Sequence, residues 1–144
     1  MRVMVIVKAT NESEDGKMPP PELVERMGAF NDQLRDAGVL VDAAGLRPSA
    51  KGARVAFSGQ DRSVSKGPFT NLHELVAGYW IWNVHDLDEA IDWVKRCPNP
   101  HCGDSEIEIR QVFEMEEFAP ILSQEEIQHK VAKRAELPNQ TANK

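Results

Sequence analysis

His73 and Glu74 stand side by side in this chain, a pairing that could supply a general base and the carboxylate that orients it. Neighbours on a strand point to opposite faces, however, so one of the two is expected at the surface. Glu106, Glu108 and Arg110 alternate with Ile107 and Ile109. A two-residue spacing puts the three charged groups on one face of a strand, as an acid/base row in an enclosed space or as ordinary cross-strand charges facing water. Trp80 and Trp82 share one strand parity and Tyr79 takes the other. Such rings can stack a planar ligand, although at this spacing core and subunit packing is the commoner use. His73 and Glu106 are the candidate proton carriers; Asn31, Phe69, Tyr79, Trp80, Trp82, Glu108 and Arg110 are the candidate ligand contacts.

Gly67-Pro68-Phe69 has two readings: a ligand-gating loop, or a rigid turn that plugs Phe69 into the core. Turn chemistry favours the second. Asn31 is displaced from the apolar stripe of its helix, at a cavity edge or simply in water. Cys97, His101 and Cys102 are three zinc-capable side chains close together, but a structural zinc site wants four, often from two clusters, so no metal is assigned. Gly52, Gly59 and Gly67 lack the spacing and the strand-to-helix setting of a nucleotide loop, and no cofactor is expected.

Composition narrows the classes further. With 17 basic against 23 acidic residues and a formal net charge of −6, the chain offers no electrostatic footprint for nucleic acid. The apolar run Val3 to Val7, bracketed by Arg2 and Lys8, is too short for a signal core or a membrane span, so a cytoplasmic protein without membrane contact is expected. Its 2 cysteines are too few for a secreted disulfide scaffold at 144 residues. Without secretion the sequons at Asn11 and Asn139 carry no weight.

These residues need elements to position them. Val3, Val5 and Val7 alternate with Met4 and Ile6, so the first segment reads as a strand covered on both faces. Asn11 to Pro21 reads as a loop. Leu23, Met27, Phe30, Leu34 and Ala37 form one helical stripe that stops at Gly38. Val39 to Leu46 returns toward the sheet, Arg54 to Ser58 alternates as an edge-like strand, and Ser58 to Lys66 reads as a turn. Leu75 to Val84 is apolar at both parities. Asp86 with Glu89 caps a second helix that Pro98 ends, and Ile107 and Ile109 mark a last strand.

The order of elements is that of a ferredoxin-like split βαβ fold, βαββαβ, in the α+β class. Two helices cover only one face of a four-stranded sheet, and the other face is apolar on its central strands. A homodimer closing sheet on sheet, a dimeric α+β barrel, is the simplest remedy, with a pocket beside Glu106, Glu108 and Arg110. Residues 1–118 form the domain and 119–144 an extension: a thinly apolar helix capped by Ser123 and Glu126, then a polar tail from Leu137 that is expected to fray.

Lys66-Gly67-Pro68-Phe69, Glu74 and Ala77-Gly78-Tyr79-Trp80-Ile81-Trp82 resemble the YCII-related family, specifically its DGPF-motif branch. Met1 to Thr10, Ala37 to Leu40, Gly45-Leu46-Arg47-Pro48-Ser49, Arg96 to Pro100 and Glu106 to Arg110 extend the likeness, which runs from Met1 to about Phe118. The resemblance implies a dimeric α+β barrel of ferredoxin-like subunits. Some relatives are enzymes acting on small aromatic or lactone-type substrates through a histidine in the first helix and an aspartate after the second. Those positions hold Met27 and Cys97 here, and neither replaces a His/Asp pair as base and orienter at neutral pH, so that mechanism is not transferred. The motif also departs from the family pattern at Lys66, Asn71 and His73.

Two functions are compatible with these residues. One is a cofactor-independent small-molecule enzyme using the inter-subunit cavity. The other is a non-catalytic module that binds a ligand or a protein partner; the resemblance links this second function to sigma-factor regulation.

Overall fold

The computed structural model describes residues 1–138. The last six residues, with the Asn139 sequon and most of the tail expected to fray, lie outside the described part. Among the described residues six strands, β1 (Arg2–Lys8), β2 (Leu40–Gly45), β3 (Ala53–Ser58), β4 (Asp61–Lys66), β5 (Val76–Asn83) and β6 (Ile107–Gln111), are joined by four helices. The helices are α1 (Asn11–Glu14), α2 (Pro21–Asp36), α3 (Leu87–Arg96) and α4 (Gln124–Ala135). β2, β5, β1 and β6 form one antiparallel sheet in that order. The connections β1–α2–β2 and β5–α3–β6 each skip one strand, which is the ferredoxin-like topology. Among the described residues the sheet does not close into a barrel.

α2 begins at Pro21, whose missing N–H and fixed φ suit a first helical turn. It ends where Gly38, at φ +73°, lets the chain reverse into β2. α3 starts on Asp86, whose carboxylate accepts from the Glu89 N–H. Both helices lie on the sheet face that carries Val3, Val5, Trp80, Trp82 and Val84, all buried. Phe30 of α2 sits edge-on to Trp80, Trp82 and Trp93, with ring centroids 6.3, 6.3 and 6.2 Å away. Burying such rings contributes most of the core's stabilisation, each worth about 3–5 kcal/mol on truncation to alanine.

Three segments differ from the sequence expectation. Asn11–Glu14 is a helical turn rather than loop, because Thr10 and Ser13 form a reciprocal capping box. Asp61–Lys66 is a strand: only Ser58 to Asp61 turns, around Gly59 at φ +57°. In Asp61–Lys66 Val64 is the lone apolar residue, so alternation had nothing to show. Finally, Ala53–Ser58 does not join the main sheet at all but pairs with β4 as a separate hairpin, every residue of which is exposed. α4 carries the expected Ser123–Glu126 capping box, buries Ile127 and packs on the turn Met115–Phe118.

Candidate functional site

Cross-strand partners share a face, so the register of the sheet maps the side opposite α2 and α3, called here the open face. One row across it runs Ala44, Tyr79, Ile6, Glu108; the next runs Asp42, Ile81, Met4, Arg110. The middle of this face is apolar and half-buried, and charges stand at both edges. Glu108 and Arg110, two apart on β6, form an ion pair at 3.4 Å. Asp42, on the opposite edge, accepts from the Ala43 N–H at 2.8 Å.

The structure separates the sequence candidates into three places. Tyr79, Glu108 and Arg110 share the open face. Trp80 and Trp82 lie on the helix-covered face, Trp82 fully buried, and Asn31 belongs with them: its Oδ1 accepts from the Trp80 indole N–H at 2.8 Å. The Trp82 indole nitrogen is buried without a hydrogen-bond partner among the described residues. His73 lies in a short 3-10 turn, Leu72–Glu74, and is exposed; Glu106 precedes β6, is exposed, and offers its carbonyl to the Lys8 N–H. His73 is not among the residues of the open-face rows, whereas Glu106, two residues before Glu108, continues the β6 row by one position.

Phe69 is in the third place, a cleft of about 460 Å³ at the far end of β2 and β5, lined by Leu46, Arg47, Lys51, Arg54 and Leu75 among others. Its framework is a set of hydrogen bonds between distant segments. Glu14 accepts from both the backbone N–H and the hydroxyl of Ser49, and Ser49 Oγ in turn accepts from the Phe69 N–H at 2.9 Å. The Gly67 N–H donates to the Gly52 carbonyl at 3.0 Å, and Gly67–Pro68 is cis. Only glycine fits at 67, because a Cβ there would lie 1.8 Å from the Ser49 carbonyl oxygen. Phe69 is half-buried, with the Arg54 guanidinium 4.0 Å above its ring centroid and Glu74 3.5 Å from that guanidinium. Sequence reasoning singled out Phe69 here but missed Glu14, Ser49, Arg47, Lys51 and Arg54. The one signal for it in the sequence is the Gly45-to-Ser49 stretch, which enters only through the family likeness.

A smaller hollow of about 330 Å³ lies between α1 and the loop after α3. His101 bridges it: Nε2 is 2.9 Å from the Lys8 carbonyl, so that nitrogen carries the proton, and Nδ1 is 3.3 Å from the Thr10 hydroxyl. With both ring nitrogens engaged, His101 fastens the loop to β1. Cys97 packs against the core, donates its thiol to the Pro98 carbonyl at 3.2 Å, and has its pKa pushed up to about 11 by burial. Met27 also packs against the core. Among the described residues no cluster of His, Cys, Asp and Glu could hold a metal ion, and no helix is long and apolar enough to cross a membrane.

Set against known proteins, residues 1–116 match the model of the YCII-related domain. A protein of Rhizobium meliloti (strain 1021), itself described as uncharacterized, is 25% identical over 105 residues, which is 73% of this chain and 81% of that protein.

Proposed function

This chain belongs to the family of YCII-related domains, and we propose that it works as a homodimer whose sheets face each other across a small-molecule site. The observation that carries this reading is the open face itself. Met4, Ile6, Tyr79 and Ile81 form an apolar, half-buried centre on the face turned away from α2 and α3, between charged edges. Joining two such faces removes that surface from water at roughly 25 cal/mol per Å², and it encloses Tyr79, Glu108 and Arg110 in a drier space where their charges and hydroxyl act more strongly.

The hairpin supports the same arrangement. Its register puts Val55 opposite Val64 and Phe57 opposite Arg62, whose guanidinium lies 4.4 Å from the Phe57 ring centroid, and these apolar side chains stay in water, Val55 48%, Val64 63% and Phe57 73% exposed. An isolated two-stranded hairpin is marginal in water, and a second copy supplies the missing surface. In this reading Glu108 and Arg110 orient the ligand and Tyr79 flanks it. His73, in the turn before β5, is not part of these rows, and Glu106 stands at the end of the Glu108 and Arg110 row.

Sedimentation velocity on the full chain and on Ile81→Glu tests the reading. The expected result is a dimer for the parent and a folded monomer for the variant, with hairpin amides exchanging faster in the variant. A thermal-shift screen of small aromatic and lactone compounds should then give stabilisation of the parent that Ile81→Glu loses. A monomeric parent would overturn the proposal.

A further inference from the structure

We propose that the cleft between the Ser49 turn and the Gly67-Pro68-Phe69 loop binds a small organic carboxylate, with Arg47 and Lys51 holding the anionic head. The lining comes from one chain and includes none of Met4, Ile6, Tyr79, Ile81, Glu108 and Arg110, so the two readings can fail separately. Its volume of about 460 Å³ falls in the range of small-molecule pockets. Five charged side chains line it: Glu14, Arg47, Lys51, Arg54 and Glu74. Both carboxylates are already engaged, Glu14 by the Ser49 N–H and hydroxyl and Glu74 by Arg54. Arg54 is further committed to the Phe69 ring. That leaves Arg47 and Lys51, neither of which has an ion-pair partner among the described residues.

Two unpaired cations beside an apolar wall select a ligand with one anionic end and an apolar body. Leu46, half exposed, with Leu75 and the half-buried Phe69, provides that wall. The walls are held in place before any ligand arrives. The Glu14–Ser49–Phe69 hydrogen bonds and the Gly67 contact fix the two loops against each other, so little ordering is left for binding to bring about. An inorganic anion would use the cations but not the wall.

The test is a titration of the full ¹⁵N-labelled chain with benzoate, benzamide and inorganic phosphate, followed by amide shifts. Benzoate should move the amides of Ser49, Lys51, Arg54 and Phe69 in a saturable manner, and benzamide, which has the same body without the charge, should not. Arg47→Gln with Lys51→Gln replaces two exposed side chains, leaves the fold unchanged, and should weaken benzoate by about tenfold or more. Binding should persist in Ile81→Glu, which separates failure of this site from failure of the dimer. Absence of those shifts, equal binding of benzamide, equal binding of phosphate, or unchanged affinity in the double variant would each overturn the assignment.

Discussion

The Trp80 indole N–H and the Asn31 side-chain oxygen meet at 2.8 Å, joining the middle of β5 to the middle of α2. Trp80 is 6% exposed, so its N–H has no ready access to water once the acceptor is lost. Asn31→Ala is therefore expected to lower unfolding free energy by about 1–3 kcal/mol, while Asn31→Asp, which keeps an acceptor, should lose less. Urea denaturation of the two variants checks this. Equal stability of Asn31→Ala and the parent would show that the bond contributes nothing.

That pair also shows where the sequence was legible and where it was not. Alternation predicted that Trp80 lies on one face of a strand, and helical spacing predicted that Asn31 lies off the stripe of α2. Neither pattern says which strand face meets which helix, and so neither could tell a structural amide from a ligand contact. The main sheet and both packed helices were readable because Val3, Val5, Val7, Leu23, Phe30 and Leu34 repeat at the period of their elements. The hairpin's second strand was not, with Val64 its only apolar residue. The cleft was least legible of all: Glu14, Ser49 and Phe69 are far apart in the chain, and hydrogen bonds between loops leave no periodic trace.

A second prediction concerns acid. The Arg2 guanidinium grips Glu114 with two hydrogen bonds of 2.9 Å, tying the start of β1 to the chain just beyond β6. The hydrogen bond from Arg2 holds the Glu114 carboxyl below its ordinary value of 4.5. A carboxyl depressed on folding adds stability that is present above the unfolded value and is lost as pH falls through the lower, folded one. Glu114 is 39% exposed, so solvent screening limits the effect to under about 1 kcal/mol. Denaturant midpoints of Glu114→Gln should lie below the parent at pH 7, the gap should narrow as pH falls below 4.5, and added salt should narrow it at pH 7. A gap that persists unchanged at pH 3 would mean that packing, not charge, is what the substitution removes.

The two cysteines should behave oppositely toward an alkylating agent, and the difference bears on whether the end of α3 can do nucleophilic chemistry. The thiolate is the reacting form, and burial has raised the Cys97 pKa from 9.0 to about 11. At pH 7.5 Cys97 is therefore almost wholly a thiol, bonded to the Pro98 carbonyl and packed on the core. Cys102 is exposed in the following loop. Brief treatment with iodoacetamide at pH 7.5, read by peptide mass mapping, should label Cys102 and spare Cys97; the rate at Cys97 should climb about tenfold per pH unit, as long as the fold persists, toward the thiol's raised value. Cys97→Ser should place a more polar hydroxyl in a largely apolar site, lowering stability without removing any reactive group. Rapid labelling of Cys97 at neutral pH would reverse the conclusion, giving this position an activated nucleophile where the packing shows an inert one.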